Sequence, residues 1–210
     1  MRFFAQFFSY VFHPLLMATY FCLLIFFGMN ASMFYMFTPI KVKVIFTIIV
    51  FVFTFLIPLL NLFILVKLKY VSSLHIEERT QRTFPLIATA FCYFGLYYML
   101  SDFSIWPFFK LFILASSISI LVASIINYWW QISTHMIGIG GITGVLIIIC
   151  IYMQLPILII LSFSFLIAGI VGFSRLKLSA HNSSQIYVGF LLGISIQMIL
   201  FYLAHQTQLL

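Results

Sequence analysis

The stretch "MIGIGGITGVLIIICIYMQLPILIILSFSFLIAGIVGF", Met136 to Phe173, decides the architecture. It holds no Asp, Glu, Lys or Arg, and its apolar residues are continuous rather than alternating. Gln154 and Pro156 divide it into two runs, Met136–Met153 and Leu155–Phe173. Each is close to the roughly 20 residues that carry a helix across a bilayer. In hydrocarbon every backbone N–H and C=O needs a partner from the protein, which leaves helices or a closed barrel. The missing alternation selects helices.

Working outward, five more runs of this kind follow: Phe7–Gly28, Val44–Val66, Phe84–Leu100, Pro107–Asn127 and Gln185–Leu203. The sequence predicts an all-α fold, a polytopic integral membrane helical bundle of about six to seven transmembrane helices. It reads as one transmembrane domain over residues 1–210, with N-terminal helices in 1–70 and a core in 75–205. Composition agrees, with 65% apolar and 6% charged residues and a mean hydropathy of +1.24. A soluble domain of 210 residues has too much surface for its volume to hide so much apolar side chain. The opening "MRFFAQFFSYVFHPLLMATYFCLLIFFG" is too long for a signal peptide and lacks a small-residue cleavage site, so it reads as a retained first helix. Cys22, Cys92 and Cys150 lie inside apolar runs and have neither zinc spacing nor a disulfide framework. The formal charge of +7 does not point to nucleic acid, because the cations are scattered among the loops. Cations beside membrane helices meet lipid headgroups and phosphates.

Seven crossings would place Lys67–Thr83, Tyr128–His135 and Ser174–Ser184 on the side where the chain begins. Met29–Lys43 and Ser101–Trp106 fall on the other side. Every loop histidine and every arginine then shares one side, with His13 and His205 set apart in or beyond the end helices. The positive-inside rule would make that side cytoplasmic. Without Arg79, Arg82 and Arg175, which have another use, the balance of cations is four against three and decides nothing.

Three segments on that side carry chemistry. In "HIEERTQRTFP", His75 to Pro85, Arg79 and Arg82 are three apart and share a helix face. Two guanidiniums on one face can hold a phosphate through charge-assisted bonds. The alternative is a solvated interfacial helix with Glu78 paired to Arg82. In "NYWWQISTHMIGIGGITG", Asn127 to Gly144, Trp129 and Trp130 form an interfacial belt. His135 falls at the junction of loop and helix, and Gly140 and Gly144 form a GxxxG suited to a close helix contact. In "SRLKLSAHNSSQ", Ser174 to Gln185, Arg175 and Lys177 precede His181, and Gln185 follows it by one helical turn. Lys177 snorkels to the headgroups. Asn182 and Gln185 also have the spacing of a capping box.

Together these segments resemble the membrane-bound type-2 phosphatidic acid phosphatase superfamily, as a divergent member would. That family carries K-x6-R-P, then P-S-G-H, then S-R-x5-H-x3-D. Ser174, Arg175 and His181 match the third motif in residue and spacing. Ser133 and His135 match the serine and histidine of the second, and Arg82 the arginine of the first. The resemblance runs from His75 to the end of the chain, with motif order and sidedness in agreement. Departures are His75 for the lysine, Thr83 for the proline, Ile132 and Thr134 for the proline and glycine of the second motif, and Gln185 for the aspartate.

The resemblance implies a phosphatase-like core and a membrane-embedded lipid phosphate phosphatase that works through a phosphohistidine, with no metal and no other cofactor. His181 would attack phosphorus and His135 would protonate the leaving oxygen. Arg82 and Arg175 would clamp the phosphoryl oxygens, Ser133 would donate a hydrogen bond to them, and His75 would take the lysine's place. Arg79 joins the phosphate-binding set through the face it shares with Arg82. Gln185 would orient the nucleophile, but an amide supplies no charge. In the serine-protease template the corresponding change from aspartate to amide lowers the rate about 10⁴-fold. The expected partners are membrane lipids and a lipid phosphate substrate, either a phosphomonoester or a pyrophosphate, and no nucleic acid. The expected place is a bacterial inner (plasma) membrane. The alternative is a non-catalytic lipid-phosphate-binding or structural membrane protein that retains the scaffold. A transporter fits less well, since no clear span has an acid near its centre.

Overall fold

The computed structural model describes residues 1–28, 38–74, 76, 78–101, 107–152, 154 and 156–207, and among them every regular element is helical. The order is α1 (Arg2–Val11), α2 (Met17–Leu23), α3 (Ile40–Phe51), α4 (Ile57–Lys67), α5 (Arg79–Met99), α6 (Pro107–Trp129), α7 (Thr134–Tyr152), α8 (Leu158–Lys177) and α9 (Ser183–Gln206). A wider π turn, Leu24–Gly28, prolongs α2, and another, Val52–Leu56, joins α3 to α4 just ahead of Pro58. Proline lacks an N–H and crowds the carbonyl one turn back, so a widened turn lets the helix continue past it.

Among the described residues six helical segments are long and apolar enough to cross a membrane: Arg2–Gly28, Ile40–Lys67, Phe108–Trp129, Thr134–Tyr152, Leu158–Lys177 and Ser183–Gln206. The protein is an all-α, multi-pass membrane bundle. Its many exposed large apolar side chains, Ile48, Phe163, Phe173 and Leu191 among them, are what a lipid-facing surface requires. The expected seventh span, Phe84–Leu100, corresponds to α5. At 21 residues α5 is long enough, but Arg79, Arg82 and three tyrosines make it less apolar than the others. It nevertheless runs the length of α6, in the opposite direction. Asn127 Nδ2 donates to Arg79 O at 2.9 Å at one end, Ser117 Oγ to Ala90 O at 2.9 Å midway, and Lys110 Nζ to Ser101 O at 3.1 Å at the other end.

The first expected span, Phe7–Gly28, is not one continuous helix. α1 stops at Val11, His13 is extended at φ −63° and ψ 135°, and Pro14 opens a short 3₁₀ turn, Pro14–Leu16, before α2. A proline disfavours helical geometry in the residue before it, which accounts for His13. The break leaves the last carbonyls of α1 without helical donors. Phe12 N–H serves Phe8 O, His13 N–H serves Tyr10 O, and the Tyr20 hydroxyl serves Val11 O at 2.7 Å. The carbonyl of Ser9 takes its partner from α7.

The tightest contact in the bundle joins α7 to α9. A Cβ on Gly140 would strike the backbone of Phe190, one on Gly144 that of Ile194, one on Gly189 the carbonyl of Ser133, and one on Gly193 the backbone of Ile137. The GxxxG at Gly140 and Gly144 is therefore a close helix contact, as expected, and it meets a second GxxxG at Gly189 and Gly193. The contacts pair early residues with early and late with late, so α7 and α9 run parallel and begin at the same end. Ser133 N–H donates to Gln185 O at 3.4 Å and ties the two starts together. With α5 beginning and α6 and α8 ending there too, the three segments singled out above gather at one end of the bundle.

Candidate functional site

The start of α9 fixes the first histidine. Asn182 caps the helix: its Oδ1 accepts from Gln185 N–H at 2.9 Å, and Gln185 Oε1 accepts from Asn182 N–H at 3.1 Å. The capping box expected from spacing is present, with two orphan backbone donors satisfied reciprocally. It has a chemical consequence. Because Asn182 N–H can only donate, the atom facing it is the amide oxygen of Gln185. The same oxygen lies 3.2 Å from His181 Nδ1, so that nitrogen carries the proton. The lone pair of His181 is left on Nε2, the atom a nucleophile needs. Burial lowers the pKa of His181 to about 4, reinforced by the guanidinium of Arg175 and then by that of Arg82. The Gln185 bond and the Gln131 backbone oppose this only in part. The ring is therefore neutral at physiological pH, and no carboxylate among the described residues stands beside it.

The start of α7 fixes the second histidine. His135 is buried, and its Nε2 lies 3.1 Å from the Ser9 carbonyl that the break after α1 leaves open. A carbonyl only accepts, so Nε2 bears the hydrogen and Nδ1 is the nitrogen that can exchange a proton with a ligand. The ring of His13 stands edge-on to that of His135, with centroids 5.7 Å apart. Immediately before α7, Ser133 lies at the helix N-cap, its carbonyl taking Ile137 N–H at 3.1 Å. Its hydroxyl does not cap the helix. It is fully buried and has no hydrogen-bond partner.

The arginines complete the group. Arg175, in the last turn of α8, donates from Nη1 to Ser9 Oγ at 3.4 Å, while its Nε is buried with no partner. Among the described residues no carboxylate pairs with it; the only acidic one is Glu78, which is exposed and accepts from Gln81 Nε2 at 2.7 Å. The charge of Arg175 acts on both His135 and His181. Arg82, in the first turn of α5, donates from Nε to Ile76 O at 2.7 Å. With its amide oxygen turned toward Arg82, the orientation its neighbours require, Gln131 accepts from both Nη1 and Nη2 of that guanidinium at 2.7 and 3.0 Å.

His181, His135, Arg175, Arg82, Ser133 and Gln185 thus come together at one end of the bundle. Arg79 stands one turn before Arg82 at the start of α5, and its carbonyl accepts from Asn127 Nδ2. His75 lies outside the described residues. Sequence reasoning missed Ser9, His13 and Gln131. Pro14 in the first apolar run was the available signal for the break that brings in the first two, and His13, set apart by sequence, lies against His135. Gln131 had no motif to announce it. Partly buried cations, orphaned donors and the positive ends of α7 and α9 at one place make an arrangement that favours an anion.

Comparisons with protein-family models, with curated proteins and with solved structures gave no match to the chain.

Proposed function

We propose that the protein is a lipid phosphate phosphatase of a bacterial inner membrane, related to the type-2 phosphatidic acid phosphatases, that hydrolyses a lipid phosphomonoester or pyrophosphate. The observation that carries this is Arg175 near two imidazoles with no carboxylate against it among the described residues, while its Nε and the hydroxyl of Ser133 are buried without partners. Buried polar groups left unmade are costly, and a phosphoryl group would satisfy both.

In this reading Arg82, Arg175 and the Ser133 hydroxyl hold the phosphoryl oxygens, and positioning with charge neutralisation does most of the work. The substrate enters as its monoanion and passes its proton to His135 Nδ1 on binding; His181 Nε2 then attacks phosphorus, the bond to the lipid oxygen breaks, and that oxygen takes the proton from Nδ1, leaving His135 neutral with its hydrogen on Nε2. Water then attacks the phosphohistidine, returns a proton to His135 Nδ1, and phosphate leaves with His181 restored. Gln185 holds the Nδ1 proton of His181 throughout. Its lack of charge also favours a second reading, a protein that binds lipid phosphate without hydrolysing it.

The test is phosphate release by the purified full-length protein from phosphatidic acid, phosphatidylglycerophosphate and an isoprenoid pyrophosphate. Release lost in His181→Ala and strongly reduced in His135→Ala is the expected result. Vanadate binding with no His181-dependent release from any of them would select the binding protein.

A further inference from the structure

We propose that Ser9 is a positioning residue of the phosphate site, holding the ring of His135 by its carbonyl and the guanidinium of Arg175 by its hydroxyl; this rests on the phosphate-site reading above. Ser9 lies on α1, outside the stretch from His75 onward that resembles the phosphatases. α1 packs on α8 and turns its small residues Ala5 and Ser9 inward, while Phe3, Phe4 and Phe7 are exposed. Both acceptors of Ser9 serve the site. Its carbonyl lies 3.1 Å from His135 Nε2, and its hydroxyl takes Arg175 Nη1 at 3.4 Å.

The carbonyl is available because of the break at Pro14. In a continuous helix Ser9 O would accept from the N–H of His13, one turn on. Here His13 is extended ahead of Pro14, and its N–H turns to Tyr10 O at 3.3 Å. The open carbonyl then decides the tautomer of His135. With its hydrogen on Nε2, Nδ1 is the nitrogen left to take a proton from a ligand and give it back. The hydroxyl has a different task. Arg175 sits in the last turn of α8, and its Nε is buried with no partner. A guanidinium is a rigid planar fork, so anchoring Nη1 on Ser9 limits where Nε can point. His135 and Arg175 stand on different helices, α7 and α8, and Ser9 bridges them from a third. A phosphoryl group held between a proton-exchanging nitrogen and a donor fork needs the two at a fixed separation.

The experiment uses full-length protein in detergent at low salt, with orthovanadate and inorganic phosphate as probes. Calorimetric Kd and melting temperature are read for wild type, Ser9→Ala, Arg175→Lys and the double variant Ser9→Ala/Arg175→Lys. Alanine suits a helix, so Ser9→Ala is expected to melt close to the wild-type temperature without anion. Its vanadate affinity should fall about three- to ten-fold, the range one hydrogen bond carries. The double variant should bind no more weakly than Arg175→Lys alone, because the hydroxyl acts through the guanidinium. The carbonyl is read separately, by nitrogen NMR of histidine-labelled protein without anion, with the His135 signals assigned by their absence in His135→Gln. Hydrogen on Nε2 is expected in wild type and in Ser9→Ala alike. Unchanged vanadate affinity in Ser9→Ala, losses that add fully in the double variant, or hydrogen on His135 Nδ1 in wild type would overturn the role of Ser9 and leave the phosphate site standing. So would a melting temperature that falls in step with affinity, which would make Ser9 a residue of the fold. Wild type that binds neither anion would overturn the phosphate site, and the role of Ser9 with it.

Discussion

The two ends of the bundle are built in opposite ways. Away from the site, phenylalanines from four helices pack ring against ring. Phe21 and Phe112 have centroids 4.1 Å apart, Phe26 and Phe109 4.9 Å, and Phe108 and Phe201 4.6 Å, with Phe46 5.2 Å from Phe109. Phe21 and Phe109 have no exposed surface at all. At the site end helices meet through small residues and single hydrogen bonds, and two buried donors have no partner. Unpartnered buried atoms occur in the bundle interior too, at Thr19 Oγ1 and Gln197 Oε1, but only at the site end do two of them, Arg175 Nε and Ser133 Oγ, lie at the helix ends that carry two histidines. Close ring packing and polar chemistry are thereby separated along the length of the same helices.

The largest expected effect tests the aromatic end. Phe109→Ala removes a fully buried ring and should cost about 3–5 kcal/mol of stability, measured by denaturant unfolding in micelles. The rise in melting temperature caused by vanadate should survive. Loss of that rise along with stability would show that the two ends are not separable.

At the site end the signs reverse. Arg175→Met removes from the anion-free protein a partly buried charge that no carboxylate among the described residues neutralises. It should leave stability unchanged or raise it by on the order of 1 kcal/mol, while abolishing the vanadate-dependent rise in melting temperature. A marked fall in melting temperature without anion would mean that Arg175 holds the fold.

A pH series sharpens the contrast further. His181 has its pKa lowered from 6.5 to about 4 in the folded protein. Between those values the unfolded chain takes up a proton that the folded chain refuses, so this histidine makes stability fall as pH drops from 6.5 toward 4. Gln185→Glu puts a carboxylate beside the ring, favours its cation, and should flatten the decline while leaving the capping box intact. A melting temperature with the same pH slope in wild type and variant would remove the assigned coupling between Gln185 and His181.

The smallest effect belongs to the break between α1 and α2. Tyr20→Phe removes the hydroxyl that serves Val11 O and should cost about 0.5–1.5 kcal/mol, seen as a modest drop in melting temperature.

The sequence made the bundle legible because crossing a bilayer is written in composition: a charge-free run such as Met136–Phe173 has few ways to fold. That His135, His181, Ser133, Arg82 and Arg175 gather at one end of the bundle was legible because their spacing keeps them at helix ends on one side. What stayed hidden depends on the backbone or on shape. The Ser9 carbonyl has no side-chain signature, and it becomes available only because Pro14 ends a helix inside a run that stays apolar throughout. Gln131 is a neutral residue whose importance lies in where a short link points it. The second GxxxG, at Gly189 and Gly193, was visible in the letters and gained meaning only when its partner on α7 was known.

The glycine seam between α7 and α9 has a mechanical consequence. Two helices in backbone contact along several turns move as one body, and this body carries His135 and His181 at its tip. The guanidiniums are mounted elsewhere, Arg82 on α5 and Arg175 on α8, outside that seam. The seam therefore sets the spacing of the two imidazoles, while Gln131 on Arg82 and Ser9 on Arg175 set where the guanidiniums stand beside them.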